Sequence, residues 1–448
     1  MSDEGQSSLR PDAAAGEPPG AAGPSTPEEA AVDKPAAEAA RADRPGGRGG
    51  GLRRLMRSLL LPLLALFSAF VVGAIVIIVS DEVVITTFGS DPIGALFHGL
   101  QVVFRAYGAL LRGAIGDPAQ LLDAIVSLDG NALRRALNPI SETILSSTPL
   151  ILTGLAVALA FRSGLFNIGA EGQLQVGALT AVLVGFSFAG LPWFVHLPLA
   201  LLGGAIGGAA WGFVPGLLKA RTGAHEVITT IMLNFIAFRI VDYALRTPLY
   251  QRPGRADQIS KIVEPSATLP QLIEHPLLRA HWGIFVALAA AVVVSWLLFR
   301  SIKGFEFRAV GLNPHASRYA GMSIARTIVL SMATAGALAG LAGATVVLGT
   351  TRTLTPGLAG GAGFDGIAIA LLGRARPAGV VAAAFLIGGL RAGATPMQAA
   401  TGIPVHLVVV MQALVIMFIA APALVRAIYR VRAERQIGAE AFAKGWGA

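Results

Sequence analysis

The sequence predicts an all-α membrane protein of about ten transmembrane helices, some of them broken. Three observations predict it. The 448 residues are 54% hydrophobic and only 14% charged, with a mean hydropathy of +0.66, a balance foreign to soluble globular chains. Apolar runs near the length of about 20 residues that crosses a bilayer recur along most of the chain. Lys and Arg fall mainly in the short segments between those runs, where they set orientation in a membrane. The net charge of +9 and the pI of about 10.4 therefore describe loops, and no nucleic-acid partner is expected. The absence of cysteine excludes disulfides, thiolate metal sites and a cysteine nucleophile.

Residues 1–50 are rich in Ala, Pro, Gly and charge and lack periodicity, so a disordered N-terminal tail is expected there. It ends in RPGGRGGGLRRLMR, a basic cluster that the positive-inside rule keeps in the cytoplasm, ahead of a first span over 59–80. The stretch 95–115 is apolar, but His98, Arg105 and Arg112 interrupt it at helical spacing, which predicts an amphipathic helix lying at the outer interface. Further spans are expected over 144–161, 174–190, 197–218 and 227–243. A polar, Pro-containing outer loop follows over 246–282, then a span over 284–299. Residues 301–325 form a basic cytoplasmic loop, after which runs at 327–348, 364–372, 380–390 and 405–425 complete the count. The permease-sized body thus covers 51–430, and residues 431–448 form a C-terminal tail. Both termini come out on the cytoplasmic side, and every short loop rich in Arg and Lys falls there too.

The stretch that organises the chain is 164–178, GLFNIGAEGQLQVGA. It sets Asn167, Glu171 and Gln173 among glycines at a depth where the flanking runs predict lipid. A carboxylate there costs roughly 2.5–3.5 kcal/mol on insertion scales, so such groups face a bundle interior or a water-filled cavity. Glycine-broken helices that line cavities are how many transporters build solute sites. These residues are candidates for a solute pathway; helix capping and interhelical hydrogen bonding are the alternative. A second polar interruption, GLAGGAGFDGIAIALLG, places Asp365 at a matching position in the second half, with the opposite orientation, and hints at an inverted repeat. Asp365 is a lining residue or a helix cap. Asn234, two turns into its span, is a further lining candidate, with core bonding as the alternative. Asn313 followed by Pro314 reads as an N-cap with proline at the first helical position, opening a short helix, HASRYAGM, that exposes Arg318 and Tyr319 and stops near Gly321.

Several chemistries lack their constellations. None of the five lysines follows glycine, so no GxxxxGK phosphate loop exists and energy must come from a partner or an ion gradient. His225-Glu226 is followed by Thr229 where a zincin needs histidine, no G-x-S-x-G elbow occurs, and the other histidines are scattered. No enzyme activity, metal or cofactor is expected.

Four stretches in order, LFNIGAEGQLQVGAL, KARTGAHEVITTIMLNFIA, GFEFRAVGLNPHASRYAGM and GFDGIAIALLGRARPAGV, resemble the integral membrane permease subunit of bacterial ATP-binding cassette (ABC) importers. The branch is that of the ribose and branched-chain amino acid permeases, closest to those for simple sugars or nucleosides. The resemblance runs from about residue 139 to the last span. It implies a multi-pass subunit of the bacterial plasma (inner) membrane that forms a pathway for nucleosides or simple sugars. It also implies separate ATPase subunits, a second permease subunit, identical or related, and an extracellular solute-binding protein or lipoprotein. The helix holding Asn313, Pro314, Arg318, Tyr319 and Gly321 would be the coupling helix that docks on the ATPase, rather than a helix touching only lipid headgroups. The alternative is an ion-coupled secondary transporter with Glu171 and Asp365 as coupling groups.

Overall fold

The computed structural model describes residues 50–430, so the expected tails, 1–49 and 431–448, lie outside the described residues. Among the described residues there are sixteen α-helices and no strand beyond three isolated bridges in one loop. Eight helices are long and apolar enough to cross a membrane, or nine if the bent pair near the C-terminus counts as one span.

The difference from ten has a physical origin. The helices α6 (Ala170–Ser187) and α13 (Ala362–Leu372) stand where full spans were expected, but one carries Glu171, Gln173 and Gln175 in its first two turns and the other has only 11 residues. Both begin inside the protein, with Ala170, Glu171, Ala362 and Gly363 buried. The other long elements are α1 (Gly50–Ser80), α3 (Pro92–Ile115), α5 (Gly130–Arg162), α7 (Trp193–Thr222), α8 (Glu226–Ala244), α9 (Gly283–Arg300), α12 (Ile324–Thr345) and α14 (Pro377–Thr401). Helices α15 (His406–Ala420) and α16 (Pro422–Tyr429) form the pair bent by 88°.

Helix α3, expected at the interface, has 24 residues and meets the length and composition of a span. Its buried stripe of Ala95, Gly99, Val103, Ala106, Leu110 and Gly113 recurs at three- and four-residue steps. Gly113 packs on Gly393 and Pro396, and the Thr143 hydroxyl donates to Ala114 O at 2.6 Å. The C-terminal part of α3 thus rests on the parts of α5 and α14 farthest from the Arg162 end. Aspartates punctuate this region. Asp91, Asp117 and Asp129 accept N–H groups at the starts of α3, α4 (Pro118–Val126) and α5, and proline at the first turn of α3 and α4 fixes the entry angle.

The centre is made by α5, whose residues from Leu150 to Ala160 are almost all inaccessible, surrounded by α6, α9, α12, α13 and α14. Helices α6, α7 and α12 approach backbone to backbone. A Cβ on Gly340 would overlap Gly204 O, and one on Gly177 would overlap Gly340 Cα. In lipid no hydrophobic force separates helix–helix from helix–lipid contact, so close approach through small residues supplies the attraction.

The loop 245–282 folds over one end as a cap. Its Ser260, Val263 and Leu269 N–H groups donate to Leu354 O, Arg352 O and Leu348 O at 2.9–3.0 Å, carbonyls in or just beyond a π-helical segment, Val346–Thr351, that continues α12. His281 locks the two together. Its Nδ1 accepts from Gly283 N–H at 3.1 Å, so Nε2 carries the proton and faces Thr350 Oγ1 at 3.3 Å. Burial pushes the imidazole pKa down to about 4. Below its ordinary value of about 6.5 the unfolded chain takes up a proton that the folded cap refuses. Stability is therefore full above pH 7 and falls as pH drops from about 6.5 towards 4, by up to about 3 kcal/mol. Thermal unfolding of the purified protein between pH 7.5 and 4.5 should show this fall, and His281→Gln should flatten it while lowering the midpoint at neutral pH.

Candidate functional site

The segment between α5 and α6 leaves helical geometry because Gly164 takes φ +69° with its Cα against Gly311, where any side chain would collide with the Gly311 backbone. The freed polar groups are then claimed one by one. Asn167 and Gln173 exchange amide hydrogen bonds at 2.9 and 3.2 Å, and Asn167 Oδ1 also accepts from Gly169 N–H at 3.0 Å. Asn234 on α8 bridges the break, accepting from Gly172 N–H at 2.9 Å and donating to Ile168 O at 3.0 Å. All three side chains are buried. In this conformation Asn234 fastens the start of α6 to α8, while Asn167 and Gln173 brace the break from within. Below them Glu226 pairs with Lys219 at 2.5 Å.

Glu171 and Asp365 stand at the place where α6 and α13 meet. Glu171, 3% exposed, receives Gly363 N–H on its Oε2 at 2.8 Å. A Cβ on Gly363 would strike the Glu171 backbone, so the first turns of α6 and α13 abut. A carboxylate on one helix thereby satisfies the unpaired N–H end of the other, where the helix dipole favours negative charge. Asp365, one turn further along α13, is ion-paired with Arg391 of α14. Helix α13 is 11 residues long, about 16 Å at 1.5 Å per residue, or half of a hydrocarbon core about 30 Å thick. Its far end leads into the basic turn at Arg374 and Arg376.

The short helix expected after Asn313 is present as α11 (Pro314–Tyr319), following α10 (Ile302–Leu312). Asn313 Oδ1 accepts from Ala316 N–H at 3.0 Å, Gly321 ends the turn at φ +81°, and Arg318 is exposed. Tyr319 is 96% exposed. Gly311 at the end of α10 is the residue that Gly164 touches. A continuous set of contacts therefore runs from the exposed helix through Gly311 and Gly164 to Asn167, α6, Glu171 and α13.

Arg391 and Arg239 escaped the sequence reading, and Gln175 was read among the polar residues of 164–178 without a role. Arg391 partners Asp365. Gln175, one turn beyond Glu171 on α6, is 2% exposed and its Oε1 has no partner among the described residues. Arg239 projects from α8 with 86% of its side chain exposed, 3.4 Å from Asp242, in an open groove with Phe235, Ile236, Ile240 and Tyr243. Two of them, Arg239 and Arg391, carried a readable signal: a lone charge inside an apolar run is a functional candidate by default. Among the described residues no three His, Asp or Glu side chains gather as a metal site.

The profile of a protein family described as "branched-chain amino acid transport system / permease component" matches residues 140–420. The chain is 42% identical to the guanosine ABC transporter permease protein NupP of Bacillus subtilis, over 82% of this chain and 94% of that protein. It is 35% identical to the nucleoside ABC transporter permease protein NupB of Lactococcus lactis, over 81% and 91%. It is also 37% identical to the glucose ABC transporter permease protein TsgB13 of Haloferax volcanii, over 62% and 75%. No solved structure matches the chain.

Proposed function

The chain belongs to the permease-component family of branched-chain amino acid transport systems, and we propose that, as the multi-pass translocation subunit of an ABC importer, it carries nucleosides. The relatives named for guanosine, nucleosides and glucose share an uncharged, hydroxyl-rich solute. The observation that carries the reading is the charge balance where α6 and α13 meet. Transporters that bind anionic groups leave half-helix N-termini open towards them. Here Glu171 already occupies the N-terminus of α13, and Asp365 is neutralised by Arg391. A site whose helix N-terminus is already occupied by Glu171 and whose arginine is already paired with Asp365 offers no free positive group to an anion, and suits an uncharged solute.

The side with Arg162, Arg300, Arg374 and Arg376 faces the cytoplasm, as do both termini. The body spans 51–430, with residues 301–325 as the coupling loop. Helix α11 docks on an ATPase subunit through Arg318 and Tyr319, an extracellular binding protein delivers solute to the cap, and a second permease subunit completes the pathway. Asp365, Gln175 and the α8 groove around Arg239 line that pathway. Asn234 acts behind them by holding α6 to α8, and Asn167 and Gln173 by bracing the segment that leads into α6.

Uptake tests this directly. Cells carrying the permease with its neighbouring ATPase and binding protein are expected to accumulate labelled guanosine. The double variant Arg318→Glu, Tyr319→Glu is expected to reduce uptake to background while the permease still reaches the membrane, since both side chains are exposed and support no core contact. Wild-type uptake of glucose and not guanosine would replace the solute, and uptake unaffected by the double variant would remove α11 from coupling.

A further inference from the structure

Four elements converge at the end of the bundle where α5 stops, and they bring together arginines with no acidic counterpart. Arg162, the last residue of α5, donates from Nε to Ala375 O at 2.9 Å and from Nη2 to Arg374 O at 3.3 Å. Those carbonyls are presented by a turn in which Arg374 and Ala375 both adopt left-handed φ, +54° and +49°, a conformation uncommon outside glycine. The Arg162 guanidinium also lies 5.8 Å from the centre of the Phe299 ring at the end of α9, and the Arg308 guanidinium of α10 lies 5.5 Å from the same ring. The charges of Arg376 and Arg308 both repel that of Arg162.

Among the described residues, none of Arg162, Arg308 and Arg376 forms an ion pair with a carboxylate. Glu306, the acid nearest in sequence to Arg308, is paired with Lys303 at 2.9 Å. Arg308 spends one weak bond on Gly304 O at 3.4 Å, and Arg376 is exposed and contributes no side-chain hydrogen bond. Two like charges held against one ring, with a third in the turn that Arg162 binds, raise the energy of the fold unless an anion joins them. The cluster sits where the apolar runs of α5 and α9 end, at the level of lipid headgroups, and the half-exposed Phe299 beside it suits that level.

We infer that Arg162 and Arg308 at Phe299, with Arg376 in the adjoining turn, form a binding site for a phosphate-bearing anion, filled in the membrane by the headgroup phosphate of an anionic phospholipid. Guanidinium groups match phosphate oxygens in a bidentate fork, and basic pockets between helix ends on the cytoplasmic side select anionic headgroups. The bound phosphate would tie α10, which leads into α11, to the turn between α13 and α14. It would act on the moving parts of the protein without touching the solute, so this site does not depend on the solute class.

The test uses the full-length protein in detergent, titrated with short-chain phosphatidylglycerol, short-chain phosphatidylcholine and inorganic phosphate, with tryptophan fluorescence and thermal midpoint as readouts. Phosphatidylglycerol is expected to bind more tightly than phosphatidylcholine, and binding should weaken about five-fold for each of Arg308→Gln and Arg376→Gln. Arg376→Lys should restore part of it. An unchanged thermal midpoint in phosphatidylcholine shows that the variants are folded. Binding of inorganic phosphate that is lost in the variants, with no preference between the lipids, keeps the site and assigns it to a soluble phosphate. Equal affinity for the two lipids with no effect of the variants on any ligand overturns the proposal. So does loss of ATPase co-purification in the variants with unchanged phosphatidylglycerol binding, which would make the cluster a protein contact.

Discussion

Gly340→Val is expected to keep the protein from accumulating in folded form. The new Cβ would overlap Gly204 O and stand 2.9 Å from Gly208 Cα, and neither backbone can move without separating α7 from α12 along their shared length. Overpacking against a side chain costs about 1–3 kcal/mol; a collision with backbone at the main helix contact should exceed that range. Size-exclusion profiles and thermal midpoints of the solubilised protein measure it. Gly130→Val is the matched control, because a Cβ at Gly130 meets nothing within 4 Å, and it should cost no more than about 0.5 kcal/mol. Equal stability of the two variants would mean that the α7–α12 contact is looser than the structure has it.

Glu171→Ala should give the largest loss of transport among single polar substitutions. It leaves Gly363 N–H buried without its acceptor, a cost of about 1–3 kcal/mol, and it removes the charge that answers the N-terminal dipole of α13. The start of α13 would then lose its fixed position beside α6, and uptake should fall on the order of tenfold or more, since 1.4 kcal/mol in a conformational equilibrium is a factor of ten. Glu171→Gln keeps an acceptor oxygen and the shape, so it should preserve folding and retain part of the uptake. Uptake measured beside the thermal midpoint separates the two effects. Wild-type uptake in Glu171→Ala would show that the clasp takes no part in transport.

Much of this arrangement could be read along the chain. Apolar runs and basic loops predicted a multi-pass helical protein because each span must satisfy its own backbone, which makes hydrophobicity and length nearly sufficient signals. The helix after Asn313 was legible because its signals are local: a capping side chain, a proline at the first turn and a glycine at the stop. The polar character of 164–178 and of the stretch around Asp365 was also plain. The length of α3 was harder to read. Its charges obscure the span signal, and the small residues that bury one side of it produce little hydropathy contrast.

Partners on different helices were not legible. Nothing local in Glu171 says that its acceptor role is fulfilled by Gly363, or that Asp365 meets Arg391 from another helix. Asn167, Gln173 and Asn234 read as solute contacts or as bonding groups of the bundle, since a sequence lists polar atoms without showing which of them satisfy one another. Tertiary packing decided that, by bringing Ile168 O and Gly172 N–H within reach of a single asparagine.

The sequence alone determined that the chain crosses a membrane many times and which stretches break its helices, because hydrophobicity, capping and glycine act over a few neighbouring residues. Only the tertiary structure decided that α6 and α13 meet start to start, with Glu171 of one accepting Gly363 N–H of the other and Asp365 paired with Arg391. That outcome depends on interhelical distances of a few ångströms, set by the backbone contact of glycines far apart in the chain, and no local pattern encodes them.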